Sequence, residues 1–334
     1  MSETITFIVL VKAAPVLTRA LEETMCVAGA RLDTAVPEWV RLHPVPFRDL
    51  ADESRFVKYQ VVGVDVRHPR SDRRPESWSP LHGTIAPGES LGTENAWAQR
   101  RRIVDRLPEA DMCDLVEANR SGSGPGTPSL AVVRPVKPPK LRITQRDDDQ
   151  LQKWRLRAVA AAARQSLFDD PNERKPDFEV VPWRFQYEYQ CRAPGCRTHT
   201  QTIVDWEALA LWRHVRSHGD WRERMRSKFE EEMWERCDSV LFVGNQEEHP
   251  MSFLVLGVFW PPAGGIQGVF DLFPVHEVSR TQPGHPLQVR GTASCQLTTD
   301  SRTEASDECP TDAPACQPDF QQAGPSSSTG TADT

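Results

Sequence analysis

The sequence predicts an α+β protein: an N-terminal small β-barrel-like unit, a helical middle and a C-terminal α+β domain with a zinc knuckle. Three observations lead to this prediction. Short β-branched runs separated by glycine and proline fill residues 1–90, which is typical of a small barrel. Helical patterns prevail over residues 91–176. Residues 177–276 combine an aromatic strand, a Cys/His-rich turn and apolar strands.

The barrel prediction depends on segments that are rich in valine, isoleucine and aromatic residues and end at turn-forming residues. In the third of them, large polar and apolar side chains alternate before two prolines interrupt the pattern. The four predicted strands cover residues 4–12, 25–32, 37–50 and 56–67.

The helical middle contains three predicted helices and one flexible loop. Residues 92–107 form a helix that begins near Thr93 or Asn95, and a shorter helix covers residues 109–119. The clearest helix is 147–168, in which acidic residues precede an alanine-rich centre. The Gly/Ser/Pro-rich segment 121–129 predicts a flexible loop.

The C-terminal domain starts with an aromatic strand over residues 178–190, in which tyrosine and phenylalanine alternate with polar residues. Two helices follow, over residues 206–217 and 220–236, and two apolar strands complete the domain. Residues 277–334 hold few core residues, so we expect a disordered tail. This tail is acidic and carries most of the net charge of -7.

A metal site is predicted where the aromatic strand ends. Cys191, Cys196 and His199 follow the pattern C-x4-C-x2-H, with a proline and a glycine between the two cysteines. A tight turn that presents two thiolates together is the usual half of a zinc site, and zinc takes four N/S ligands. We predict Cys237 as the fourth ligand.

A second ligand set is compatible with the same two cysteines. His214 and His218 are four residues apart, so a helix would place them on one face. Together with Cys191 and Cys196 they would give C-x4-C-x17-H-x3-H, which has a longer middle than a C2H2 zinc finger. A complete set of Cys and His ligands leaves no open position for water, so the predicted cofactor is structural zinc.

A catalytic alternative depends on Asp205 and Glu207. A pair of carboxylates at this spacing could bind Mg²⁺ in a metal-dependent nuclease, but Asp205 also fits the N-cap of the following helix. Glu207 would then favour the positive end of the helix dipole. The sequence has no Walker A, GxSxG, HExxH or GxGxxG pattern, which leaves catalysis without a recognised signature.

Arginines in the first third of the chain are candidates for contacts with phosphate, because the guanidinium group makes bidentate hydrogen bonds. Tryptophans in the same region could stack on bases. The other interpretation is a solvated helix face, with the tryptophans in the core. The candidate nucleic-acid-binding residues are Arg73, Arg74, Arg100, Arg101, Arg102 and Arg106.

Two resemblances add to these patterns. The strand-then-arginine pattern that ends in WVRLHPVPFR resembles OB-like and PUA-like small barrels that bind nucleic acid. The blocks WVRLHPVPFRDL, FQYEYQC-x4-C-x2-H, IVDWE and LFVGNQEEHPMSFLVLGVFWPP together resemble an uncharacterised bacterial protein family over most of residues 5–262. That family implies an architecture and no activity.

The function that the sequence favours is a non-catalytic, zinc-stabilised protein that binds nucleic acid or acts as an adaptor. The partners would be DNA or RNA and other proteins. A protein-interaction scaffold is a further alternative. No apolar run approaches the roughly 20 residues that span a bilayer, and the N-terminus lacks the basic region of a signal peptide. We therefore expect a cytoplasmic protein without a membrane partner.

Overall fold

The alternating apolar runs of the first 90 residues form the strands of a barrel. A computed structural model describes residues 2–18, 20, 22–120, 122, 126–165 and 178–264. Three short 3₁₀-helices lie in the connections of the barrel: Phe47–Asp49, Asp52–Ser54 and His82–Thr84. The strands of this part are β1 (Glu3–Lys12), β2 (Val16–Leu17), β3 (Glu23–Arg31), β4 (Trp39–Val45), β5 (Gln60–Arg67), β6 (Ser77–Pro80) and β7 (Ala86–Ser90).

The barrel closes because β1 pairs with two strands, β3 on one side and β5 on the other, both antiparallel. From β3 the ring continues through β4 and β6 to β5. The β4–β6 pair is parallel, and the remaining pairs of the ring are antiparallel. The predicted barrel-like unit is thus confirmed as a closed barrel of five strands, to which β2 and β7 add short edges.

Side chains of β1 divide between two cores. Ile5, Phe7 and Val9 point into the barrel, whereas Ile8 and Leu10 belong to a larger core outside it. This division follows from the period of two residues in a strand, which sends successive side chains to opposite faces. A strand that is buried on both faces reads as the continuous apolar run seen at residues 7–11.

A second sheet covers the outer face of the barrel. Its strands β8 (Leu130–Val133), β12 (Val240–Gln246) and β13 (His249–Phe259) are antiparallel in the order β13-β12-β8. Trp39 of β4 contacts Phe242 of β12 edge to face, with ring centroids 5.5 Å apart. Ala28 and Ala30 of β3 are fully buried in the same core. The outer face of β1, β3 and β4 is therefore not open to solvent.

A third sheet carries the Cys/His-rich segment. It consists of β9 (Lys140–Gln145), β10 (Trp183–Tyr189) and β11 (His199–Thr202), antiparallel in the order β11-β10-β9. Along β10 the side chains of Phe185, Tyr187 and Tyr189 are buried, as the predicted alternation requires. A single bridge between Ile203 and Val255 connects the end of β11 to β13.

Helices fill the connections between these sheets. The predicted helices are confirmed with ends that differ by a few residues, and the last one contains a π-helical turn over Ser227–Glu232. The helices are α1 (Glu94–Val104), α2 (Met112–Ala118), α3 (Asp148–Gln165), α4 (Trp206–Val215), α5 (Trp221–Arg226) and α6 (Met233–Glu235).

The start of α1 has an unusual backbone. Asn95, Ala96 and Trp97 have φ angles of 50, 52 and 64°, a left-handed turn that costs L-residues about 1–2 kcal/mol each. The turn places Trp97, which is 2% exposed, against the rings of Tyr59 and Trp260. Burial of this large ring offsets part of the backbone strain.

The described residues belong to one compact unit, Met1–Gln267. Within this unit, the predicted divisions at residues 90 and 176 stay predictions. The predicted disordered tail, 277–334, lies outside the described residues, as do residues 121 and 123–125 of the predicted loop. Among the described helices, none is both long and apolar enough to cross a membrane.

Candidate metal centre

The hairpin between β10 and β11 brings two cysteines and one histidine together. Cys191 follows the end of β10, and His199 is the first residue of β11. Between them a turn is closed by a hydrogen bond from the amide of Cys196 to the oxygen of Ala193. Gly195 takes a φ of +71°, which only glycine adopts without strain. The proline–glycine segment of the sequence therefore forms a tight turn between the two cysteines.

A third cysteine comes from α2. The side chain of Asp111, the residue before this helix, accepts a hydrogen bond from the amide of Arg192 at 2.9 Å. Arg192 also forms an ion pair with Glu109. These contacts hold the start of α2 against the loop, and they direct the thiol of Cys113 toward the thiol of Cys191, 3.7 Å away.

The four ligand atoms fit a tetrahedral metal site. The Sγ of Cys191 lies 3.4 Å from that of Cys196. The Nε2 of His199 lies 3.5, 3.6 and 3.2 Å from the sulfurs of Cys113, Cys191 and Cys196. All four atoms are within 4.8 Å of one another. Zinc bonds of about 2.3 Å to sulfur and about 2.0 Å to nitrogen give a tetrahedron with edges of about 3.5–3.8 Å. The donor set therefore fits zinc.

All four residues of the cluster have shifted pKa values. Burial and the neighbouring thiols of Cys191 and Cys196 raise the pKa of Cys113 to about 12. Burial lowers the pKa of His199, which favours the neutral ring that a metal requires. Three thiolates this close repel one another, which raises the pKa of the thiols. A divalent cation among them would attract the thiolates and lower the pKa instead. Burial also raises the pKa of Cys196, whereas hydrogen bonds within the cluster outweigh burial at Cys191 and lower its pKa.

Three predicted ligands lie outside this cluster because of their positions in the fold. Cys237 is buried next to Pro262, with which it forms an isolated bridge, and it is not part of the cluster. His214 and His218 are exposed at the end of α4 and also lie outside the cluster. Cys113 takes the fourth place in the cluster.

The carboxylates of the nuclease alternative lie at the start of α4, beside a lysine. The Nζ of Lys58 is 3.1 Å from Glu207 Oε2 and 3.5 Å from Asp205 Oδ2. The other oxygen of Asp205 accepts the amide hydrogen of Glu207 at 3.0 Å, so the N-cap role of Asp205 is confirmed. Burial raises the pKa of Asp205 to about 6, although Lys58 opposes the shift. Lys58 thus supplies the positive charge that a divalent cation would bring to this pair.

Three of the six candidate arginines are held by the protein itself. Arg74 pairs with Asp72 at 2.7 Å. Arg100 is 8% exposed, donates two hydrogen bonds to the oxygen of Leu91 and lies over the ring of Tyr59. Arg101 pairs with Asp238 at 2.9 Å. Their guanidinium groups are therefore already engaged.

The other three candidates are exposed. Arg73 and Arg102 have no acidic partner among the described residues, and Arg106 donates to the main-chain oxygen of Ala35. The aromatic residues that could have stacked on bases mostly lie inside the protein, as the alternative interpretation had it: Trp39 and Trp97 are 6% and 2% exposed. Three of the six candidate arginines are thus exposed and three are engaged within the protein. Nucleic-acid binding stays a prediction.

Similarity to known proteins gives a family and no activity. A family described as "Domain of unknown function (DUF8757)" matches residues 108–279, which is more than half of the chain and includes all four cluster residues. The chain belongs to this family. Residues 3–106, which contain the barrel, match a second one, "Domain of unknown function (DUF8758)". The resemblance to an uncharacterised family is confirmed to that extent.

Further comparisons add little. No curated protein matches the chain. A solved structure of a murine DNA binding protein bound with ds DNA is similar at 9% identity, over 80% of this chain and 100% of that one. Its TM-score is 0.27, which is too low for an inference about fold or function.

Proposed function

We propose that this protein is a non-catalytic nucleic-acid-binding protein whose fold is held by a structural zinc ion. The observation that carries the zinc part is the closed donor set of Cys113, Cys191, Cys196 and His199. Four protein ligands complete a tetrahedron and leave no position for water, which is the arrangement of structural rather than catalytic zinc.

The ion would join three separate segments: α2, the end of β10 and the start of β11. Cys113 is 78 residues from Cys191 along the chain, so the ion would restrict a long loop. Zinc-finger peptides gain about 10–16 kcal/mol of apparent binding free energy from such a site. The third sheet and α2 would therefore depend on zinc for their mutual position.

Metal content tests the ligand set directly. We expect about one zinc per chain in the wild type by elemental analysis, and a loss of zinc and of thermal stability in Cys113→Ser and Cys196→Ser. Cys237→Ser is the matched control, because Cys237 is a buried cysteine outside the cluster. Zinc that survives Cys113→Ser but not Cys237→Ser would return the site to the ligand set that the sequence predicted.

The nucleic-acid part is supported by charge and by barrel type. Arg73, Arg102 and Arg106 present exposed guanidinium groups that no described carboxylate neutralises. Small five-stranded barrels of the OB class bind oligonucleotides, and the barrel of this protein has five strands. The strands that such barrels commonly use are covered here by the second sheet, so contact would fall on the exposed arginines.

Salt dependence of binding separates this proposal from an adaptor role. Replacing Arg73, Arg102 and Arg106 with glutamine should weaken binding to duplex DNA or to RNA. For duplex DNA, the slope of log K against log salt should shrink by about 0.9 per lost phosphate contact. Arg142→Gln, at an exposed arginine that pairs with Glu188, is the control. If neither nucleic acid binds the wild type at low salt, the adaptor or scaffold alternatives gain instead.

A further inference from the structure

A cleft separate from the metal centre lies between α3, α4 and the start of β10. Its volume is about 260 Å³, and we call it the α3–α4 cleft. Trp154 of α3 and Trp183 of β10 lie on its walls, Leu209 of α4 closes another side, and Val16 of β2 lies at its edge. A cavity of about 150 Å³ is large enough for benzene, so this cleft has room for a ligand with a larger aromatic body.

Charged residues in the cleft give it an excess of positive charge. Three arginines and two acids contribute to the lining. The carboxylate of Glu179 pairs with Arg213 at 2.7 Å and also with Arg216, which lies outside the cleft. Asp205 is matched by Lys58. Arg146 and Arg157 are left without an acidic partner among the described residues.

These two arginines differ in which guanidinium nitrogen the protein engages: Nη2 in Arg157 and Nε in Arg146. Arg157 donates to the oxygens of Leu17 and Thr18, at 2.8 and 2.6 Å. Arg146 uses its Nε for the oxygen of Trp183 at 3.1 Å, and its Cζ lies over the Trp154 ring, 4.7 Å from the ring centre. The two terminal nitrogens of Arg146 are not engaged by any described residue.

The pKa of Arg146 also indicates that its guanidinium would favour an anion beside it. Burial and the nearby charge of Arg184 lower its pKa to about 10. A guanidinium in such an environment is poorly solvated. An anion placed next to it replaces the favourable interactions with water that burial removed. The contact of Arg146 with the Trp154 ring places its guanidinium beside an aromatic wall of the cleft, and a guanidinium can bind a carboxylate through two nitrogens.

We propose that the α3–α4 cleft binds a small aromatic monocarboxylate, with its carboxylate on Arg146 and its ring between Trp154 and Trp183. One guanidinium with two open nitrogens matches the two oxygens of a single carboxylate. A phosphate dianion would call for additional donors, and the remaining walls are mostly apolar. The proposal is independent of zinc and of nucleic-acid binding.

A pair of probes that differ only in charge tests it on the full-length wild-type protein. 1-Naphthoate and 1-naphthalenemethanol share one ring system, and isothermal titration measures the affinity of each. We expect naphthoate to bind about ten- to a hundredfold more tightly, as for a hydrogen bond to a charged group. Quenching of tryptophan fluorescence should accompany binding because Trp154 and Trp183 line the cleft. Equal affinities, or no binding of naphthoate, would overturn the proposal.

Variants then locate the site. Arg146→Gln should remove the preference for naphthoate, and Arg146→Lys should keep the charge but lose the bidentate part of the affinity. Arg142→Gln, on the adjacent strand β9 and exposed, should bind like the wild type. Unchanged naphthoate affinity in Arg146→Gln refutes the assignment. Circular dichroism of each variant shows whether it is folded, and the comparison of the two probes needs no variant.

Discussion

Removal of Lys58, whose buried side chain lies beside the start of α4, should destabilise the protein in a pH-dependent way. The side chain of Lys58 is 9% exposed and that of Asp205 is 1% exposed. Lys58→Met would leave the carboxylate of Asp205 buried without its counter-ion. Breaking a buried pair by removing one partner costs about 3–5 kcal/mol when the remaining group stays charged.

The size of the loss depends on whether Asp205 can take up a proton. Its folded pKa of about 6 is above that of an unfolded aspartate, so the folded state binds more protons. Stability therefore falls as pH rises from about 4 through the folded pKa. Lys58 lowers the pKa of Asp205, so the pKa of Asp205 should be higher in Lys58→Met than in the wild type. The stability of Lys58→Met should therefore keep falling up to a higher pH. The penalty of the variant should grow by about 1.4 kcal/mol for each pH unit above about 6.

Urea unfolding followed by tryptophan fluorescence at pH 5, 6 and 7 measures this difference. Measurements stop at pH 7 because burial and Lys58 lower the pKa of Lys12 to about 8, and Lys12 would titrate above that. Adding Asp205→Asn to Lys58→Met removes both charges and should abolish the pH-dependent part. Arg142→Met, at an exposed ion pair, should cost less than about 1 kcal/mol at every pH. A penalty for Lys58→Met that is equal at pH 5 and pH 7 would refute the reasoning.

Three other predictions follow from the same structure. A chelator should lower the melting temperature of the wild type, and added zinc should restore it, because the cluster residues come from three segments; an unchanged melting curve would count against a structural metal. Asp205→Asn should leave any Mg²⁺- or Mn²⁺-dependent cleavage of DNA unchanged, since Lys58 already neutralises this site; loss of cleavage with the fold intact would revive the nuclease alternative. Gly29→Ala should destabilise the barrel by more than about 2 kcal/mol in urea unfolding, because a Cβ at Gly29 would lie 2.0 Å from the main-chain oxygen of Ile8; a near-neutral result would show that β1 and β3 can move apart.

Local patterns of the sequence determined the secondary structure and three of the four residues of the candidate metal site. Alternation along residues 183–189 predicts β10 because the period of a strand is fixed by backbone geometry. Asp205 predicts the start of α4 because its side chain needs only the amide two residues later. Cys191, Cys196 and His199 lie within nine consecutive residues, and a proline–glycine turn is sufficient to bring them together. In each case the partners are close in sequence.

The tertiary structure decided everything that depends on partners far apart in the chain. Cys113 completes the candidate metal-binding cluster because Asp111 and Glu109 hold the start of α2 against Arg192, and no spacing rule connects residues 78 positions apart. The role of each arginine is likewise set by neighbours distant in sequence. Arg101 finds Asp238, whereas Arg102, the next residue of the same helix, faces solvent. A sequence pattern gives the identity of a charged side chain. Tertiary packing decides whether another residue of the protein already pairs with it.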